Sequence, residues 1–96
     1  MNRDEALEKL KRFKSLNASR YGIERIGLFG SVARGEATKT SDVDVCIQTK
    51  VPDMFMLVHL KDELMNVFNA PVDLVRMRDA MNPFLQKRID REAIYV

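Results

Sequence analysis

The sequence predicts an α/β (α+β) fold in which a small mixed β-sheet carries helices packed on it. Three observations lead there. Apolar residues switch repeatedly between helical and two-residue spacing, giving the order α-β-α-β-α-β-α-β. Capping and breaking residues stand at the ends of the helical stretches. The composition, 46% hydrophobic and 31% charged, is that of an ordinary folded chain. Its 96 residues leave room for one domain, spanning 1–96, without a second core.

The first helix is expected over Arg3 to Arg20. Leu7, Leu10, Phe13 and Leu16 form an apolar stripe among Lys and Glu. Asn2 followed by Glu5 has the form of a capping box, and Gly22 suits the left-handed residue that closes a helix. Ile23 to Phe29 reads as a strand, followed by Gly30-Ser31 and a short helical turn through Val32, Ala33 and Arg34. A polar loop, Gly35 to Ser41, leads into a second strand, Asp42 to Gln48. There Val43, Val45 and Ile47 share one face, and Asp42, Asp44 and Cys46 the other.

A third helical stretch runs from about Asp53 to Asn69, with Leu57, Leu60, Leu64 and Val67 or Phe68 facing inward, and Pro71 stops it. Val72 to Met77 makes a third strand bearing Asp73. Asn82-Pro83 starts a last helix reaching about Arg91, and Ala93 to Val96 adds a short edge strand.

Composition excludes several classes of function. A net charge of +2, from 16 basic and 14 acidic residues, is far from that of a dedicated nucleic-acid binder. One cysteine, Cys46, permits neither an internal disulfide nor a multi-cysteine zinc site. The charged start MNRDEALEKLKRFK does not resemble a signal peptide, and no apolar run approaches the roughly 20 residues of a membrane span. A soluble, cytoplasmic protein without membrane contact is expected.

Gly30-Ser31, ten residues, then Asp42-Val43-Asp44 is the arrangement that carries chemistry. A Gly-Ser pair followed at this distance by D-x-D arises by chance in roughly one such chain per hundred or fewer. Residues i and i+2 of a strand point the same way with Cα atoms roughly 6.6 Å apart. Two such carboxylates can converge on divalent ions about 3.5–4 Å apart. Mg²⁺ keeps waters and phosphate oxygens for its other positions, so two or three carboxylates suffice. Gly30 lets backbone approach a phosphate, and the Ser31 hydroxyl and nearby amides can donate to it. Asp73 interrupts the apolar strand Val72-Asp73-Leu74-Val75, where a carboxylate is costly unless it meets a cation or water.

The stretch GLFGSVARGEATKTSDVDVCI resembles the signature of the DNA polymerase beta-type nucleotidyltransferase superfamily, and specifically the minimal nucleotidyltransferases. The resemblance extends through PVDLV to RIDREAIYV, with Val45 where Leu is commoner. It implies a nucleotidyltransferase fold like a polymerase beta palm, an active enzyme, metal ligands at Asp42, Asp44 and Asp73, and nucleotide contacts at Gly30 and Ser31. It also implies Mg²⁺, two ions with ATP as substrate, and a HEPN-domain ribonuclease toxin as partner. Members of the family serve as antitoxin to that partner by adenylylating it.

Several residues remain open between roles. Arg34 can reach a triphosphate or brace the loop through Glu36 or an Asp. Ser41 can orient Asp42, touch a phosphate, or cap its loop. Arg76 and Arg78 read as solvated surface, His59 as structural or exposed, and Cys46 as packing. Met54-Phe55-Met56-Leu57-Val58 covers a whole helical circumference, so it is either enclosed on all sides or partly free to meet a partner, including a second copy. Two rival functions stand beside adenylyl transfer to a protein. One is a non-catalytic antitoxin acting by contact. The other is transfer to RNA ends or small molecules, for which an added acceptor-binding domain is expected and none is evident.

Overall fold

Asn2 opens the first helix by exchanging two hydrogen bonds with Glu5. In the computed structural model, which describes residues 1–96, its side chain accepts from the Glu5 N–H at 2.8 Å and donates to the Glu5 carboxylate at 2.9 Å. The box starts α1 (Arg3–Tyr21), and Gly22 closes it at φ 63°, its N–H donating to the Ala18 carbonyl. The inward face is Ala6, Leu10, Phe13 and Tyr21. Leu16 departs from expectation, being 72% exposed. At roughly 100° per residue it lies roughly 100° from the centre of that face. Asn17 takes the inward position instead and donates to the Phe13 carbonyl at 3.1 Å.

The order then follows the expected alternation: β1 (Ile23–Phe29), α2 (Gly30–Ala33), β2 (Val43–Thr49), α3 (Met54–Phe68), β3 (Val72–Arg76), α4 (Pro83–Glu92) and β4 (Ile94–Tyr95). Boundaries move by a residue or so. Tyr21 joins the helix, Asp42 stands just before its strand, and Met77 lies beyond β3 while its N–H still donates to Ile47 at 2.7 Å. Asp53 caps α3 through the Met56 N–H, and Asn82 caps α4 through the amides of Phe84 and Leu85.

The sheet runs β3-β2-β1-β4. β1 pairs antiparallel with both β2 and β4, while β2 and β3 are parallel. The sheet is therefore mixed, with α3 as the crossover that a parallel pair needs. Side-chain alternation divides it into two faces. Ile26, Leu28, Val43, Val45, Ile47 and Val72 lie against Leu10, Phe13, Leu60, Leu64 and Phe68 of α1 and α3. On the other face a smaller cluster of Phe29, Cys46, Met77 and Ile89 is covered by α4.

This second core is why the carboxylate face is only partly open: its lower half is packed and its upper half is not. Cys46 is fully buried there, and burial pushes its thiol up from the ordinary value. That suits a packing residue rather than a nucleophile. On α3, Met56 and Leu57 turn partly into the core, whereas Met54, Phe55 and Val58 are exposed. The run is thus not enclosed on all sides.

Candidate active site

Strand register brings the conspicuous residues together. Asp44 pairs with Phe29 on β1 and with Asp73 on β3, and Gly30 follows Phe29 directly. Paired positions on neighbouring strands share a face and lie about 4.8 Å apart. Asp44 is therefore the middle member, with Asp73 beside it and Asp42 two residues before it. Asp42 and Asp73 are exposed, and the Asp44 side chain is 16% exposed.

The turn at Gly30 is shaped by that neighbour. Gly30 has φ 75°, in the left-handed region. A Cβ there would overlap Asp44 Oδ2 and stand 2.8 Å from its Cγ. Glycine is thus required twice, by conformation and by space. Ser31, half-buried, is the second residue of α2, which Gly30 opens.

Burial raises the Asp44 carboxyl above its usual value. The charge of Arg88 works against this, Asp73 and Asp42 add to the rise, and Arg34 opposes it. Asp44 therefore feels the charge of both neighbouring carboxylates. No three ligating side chains are drawn into a closed cage. The donor set nevertheless fits a hard cation: carboxylates alone, open to water, with mutual repulsion that a cation relieves.

Two residues not singled out in the sequence complete the site. Glu92, at the end of α4, accepts at Oε1 from the Gly30 N–H (3.1 Å) and from Arg34 Nη1 (2.8 Å). Its Oε2 lies 3.4 Å from Arg91 Nη2. Arg88, one helical turn earlier, has Nε 3.6 Å from Glu92 Oε1, Nη2 4.0 Å from Asp44 Oδ2, and its guanidinium 5.3 Å from the centre of the Phe29 ring. Burial acts to raise the Glu92 carboxyl, but the Arg91 hydrogen bond, the Arg34 charge and the Gly30 amide outweigh it and hold the group below its usual value. The i, i+4 spacing of Arg88 and Glu92 was the available signal. On an exposed helix it reads as an ordinary surface pair.

Arg34 also pairs with Glu36 at 3.1 Å, so in this state it braces the loop as well as the site. Ser41 Oγ accepts from the Thr38 N–H at 2.8 Å, the loop-capping arrangement. The same loop lines a cavity of about 150 Å³ with Val32 and Phe68. His59, on α3, is exposed and contacts Glu63 and Arg20. Arg78 is exposed and Arg76 half-buried at the far end of β3. No helix is long and apolar enough to cross a membrane.

A carboxylate triad beside a Gly-Ser turn on a mixed sheet is the layout of a nucleotidyl-transferring domain, and comparison with known proteins agrees. Residues 8–96 match the family described as Polymerase beta, Nucleotidyltransferase, and the chain belongs to it. A Methanocaldococcus jannaschii protein, provisionally named a protein adenylyltransferase, is 33% identical over 93 residues, covering 96% of this chain and 95% of that one. The protein adenylyltransferase MntA of Thermococcus cleftensis is 36% identical over 78 residues, 80% of this chain and 78% of its own. A solved structure provisionally named a minimal nucleotidyltransferase superposes with TM-score 0.81 at 33% identity, covering 98% of this chain and 95% of that one. The MNT antitoxin complex with the tri-AMPylated Shewanella oneidensis HEPN toxin matches at TM-score 0.67 and 22% identity, over 95% of this chain and 70% of that one. That last likeness is one of fold.

Proposed function

We infer that this chain transfers AMP from ATP to a hydroxyl of a partner protein, and that the partner is a HEPN-domain toxin for which it is the antitoxin. One observation carries the chemistry: Asp44 and Asp73 are in register on adjacent strands, with Gly30 packed against Asp44. The named activity of the Thermococcus cleftensis relative supports the adenylyl group, and the AMPylated HEPN toxin in the Shewanella oneidensis complex supports the partner.

In this reading Asp42, Asp44 and Asp73 are the residues that would hold two Mg²⁺ ions. Bound there, they would supply positive charge to neutralise the triphosphate and the departing pyrophosphate. The Ser31 hydroxyl and the amides of its turn donate to phosphate oxygens, and Arg34 adds positive charge from beside Glu92. The partner's hydroxyl oxygen forms the new bond to the α-phosphorus as the bond to pyrophosphate breaks, and its proton is lost to solvent or a carboxylate. The test is incubation with ATP, Mg²⁺ and a purified HEPN-domain partner, followed by intact-mass measurement. A mass gain of one AMP per modified hydroxyl, with pyrophosphate released, is expected. A partner of unchanged mass and no pyrophosphate would overturn the proposal.

The acceptor has to be brought by another molecule, because the carboxylate face is open rather than a pocket. Met54, Phe55 and Val58, with Phe55 90% exposed, present an apolar surface on α3. That helix packs on the sheet face opposite the carboxylates, so a partner docked there must reach round the sheet to present its hydroxyl. Phe55→Glu is expected to keep stability within about 0.5 kcal/mol, as surface substitutions do. It should weaken co-purification with the HEPN partner by roughly tenfold or more, the loss of an exposed aromatic anchor. Unchanged association clears this helix of the role.

A further inference from the structure

Arg88 stands between two carboxylates, within ion-pair range of both and in hydrogen-bond contact with neither. Its distances, 3.6 Å to Glu92 and 4.0 Å to Asp44, are both at the long end of ion pairing. Phe29 lies beneath the guanidinium and limits where it can go. Glu92, by contrast, is anchored. Its side chain is 10% exposed and is held by the Gly30 amide at 3.1 Å and by Arg34 at 2.8 Å. It is a fixed negative charge one helical turn from Arg88. The Asp44 side chain is 16% exposed, stands in register with Asp73 and follows Asp42 by two residues, so a cation close by is favourable.

We propose that Arg88 is the resident counter-ion of the carboxylate face, and that Glu92 is a positioning residue that draws Arg88 off Asp44 when a divalent cation arrives. The proposal rests on the metal reading given above. A cation bound by Asp44 repels the guanidinium, and Glu92 receives it over a displacement of about one ångström or less, given contacts already near ion-pair range. Without the Glu92 charge, Asp44 is the nearest carboxylate left to Arg88. The guanidinium then closes on Asp44 and competes with the cation for the same oxygens. The same anchor holds the Gly30 turn, so cation site and Gly-Ser turn are coupled through one side chain.

The test uses Mn²⁺ alone as probe, titrated into the full chain without nucleotide and read by electron paramagnetic resonance or calorimetry. Asp44→Asn is the control and should abolish the binding. Arg88→Gln should tighten Mn²⁺ binding about fivefold, the size expected for one partly exposed charge. Glu92→Gln, which keeps an oxygen for the Gly30 amide, should weaken it about fivefold. In the double variant the Glu92 substitution should change affinity less than twofold, because the competitor is gone. If Glu92 only braced the turn or lent general negative potential, its effect would persist in the Arg88→Gln background, and that result overturns the proposal. Unchanged affinity in Arg88→Gln also overturns it, and Arg88→Met, which keeps the apolar stem over Phe29, repeats that arm independently. Either failure with transfer still abolished by Asp44→Asn leaves the proposed function standing. Wild-type protein that takes up no Mn²⁺ overturns the proposal and the metal reading together.

Discussion

Asp42→Asn is expected to leave a folded protein whose adenylyl transfer is reduced on the order of 10²-fold or more, the usual cost of removing preorganised charge from a reaction centre. Asp42 is exposed and stands just before β2, so the substitution removes a charge without creating a cavity or an orphaned buried group. Melting temperature should therefore stay where it was, or rise slightly as repulsion with Asp44 falls. The measurement pairs pyrophosphate release with thermal melting. Undiminished turnover in the folded variant would remove Asp42 from the proposed metal site. Asp44→Asn is a less clean substitution, since Asp44 is also the wall against which Gly30 packs.

Gly30→Ala should show the opposite pattern, with stability and nucleotide binding lost together. The added methyl group enters the space of Asp44 and must do so at φ 75°. Left-handed backbone costs a non-glycine residue roughly 1–2 kcal/mol. Forced overpacking adds roughly 1–3 kcal/mol. A destabilisation of about 2–5 kcal/mol in urea is expected, and ATP with Mg²⁺ should no longer raise the melting temperature by mass action. Gly35→Ala is the internal comparison. Gly35 has φ 74° but nothing within 4 Å of a Cβ, so only the conformational part applies. A Gly30→Ala protein that ATP still stabilises as well as wild type would place the phosphate cradle elsewhere.

The sequence made the local decisions legible. Alternation in Val43-Asp44-Val45-Cys46-Ile47 correctly separated core from carboxylates, and Asn2 with Glu5, Gly22 and Asn82-Pro83 marked helix ends through bonds visible in the fold. Such signals travel over two to four residues, where backbone geometry alone decides. Leu16 misled because stripe membership was judged by spacing, and each three-residue step from Leu7 falls about 60° short of a full turn, so that by Leu16 the stripe has left the buried face. The Asp44–Asp73 pairing was expected from chemistry, but strand order and parallel sense are tertiary facts. Glu92 and Arg88 stayed hidden for the same reason. Their partners, Gly30, Arg34 and Asp44, lie far back in the chain, and a Glu four residues after an Arg has no distinctive local meaning.

Pairing of Asp44 with both Phe29 and Asp73 has a consequence for quality control of the molecule. Were β2 to slide by one residue against its neighbours, Val43, Val45 and Ile47 would turn toward water, and Asp44 would be driven among Leu10, Leu60 and Leu64. Burying a bare carboxylate there is prohibitive. A misaligned copy therefore loses the stability of the fold rather than surviving as a well-folded but inert protein. The carboxylates thus proofread strand alignment, and a copy stable enough to stay folded is one whose carboxylate face is correctly assembled.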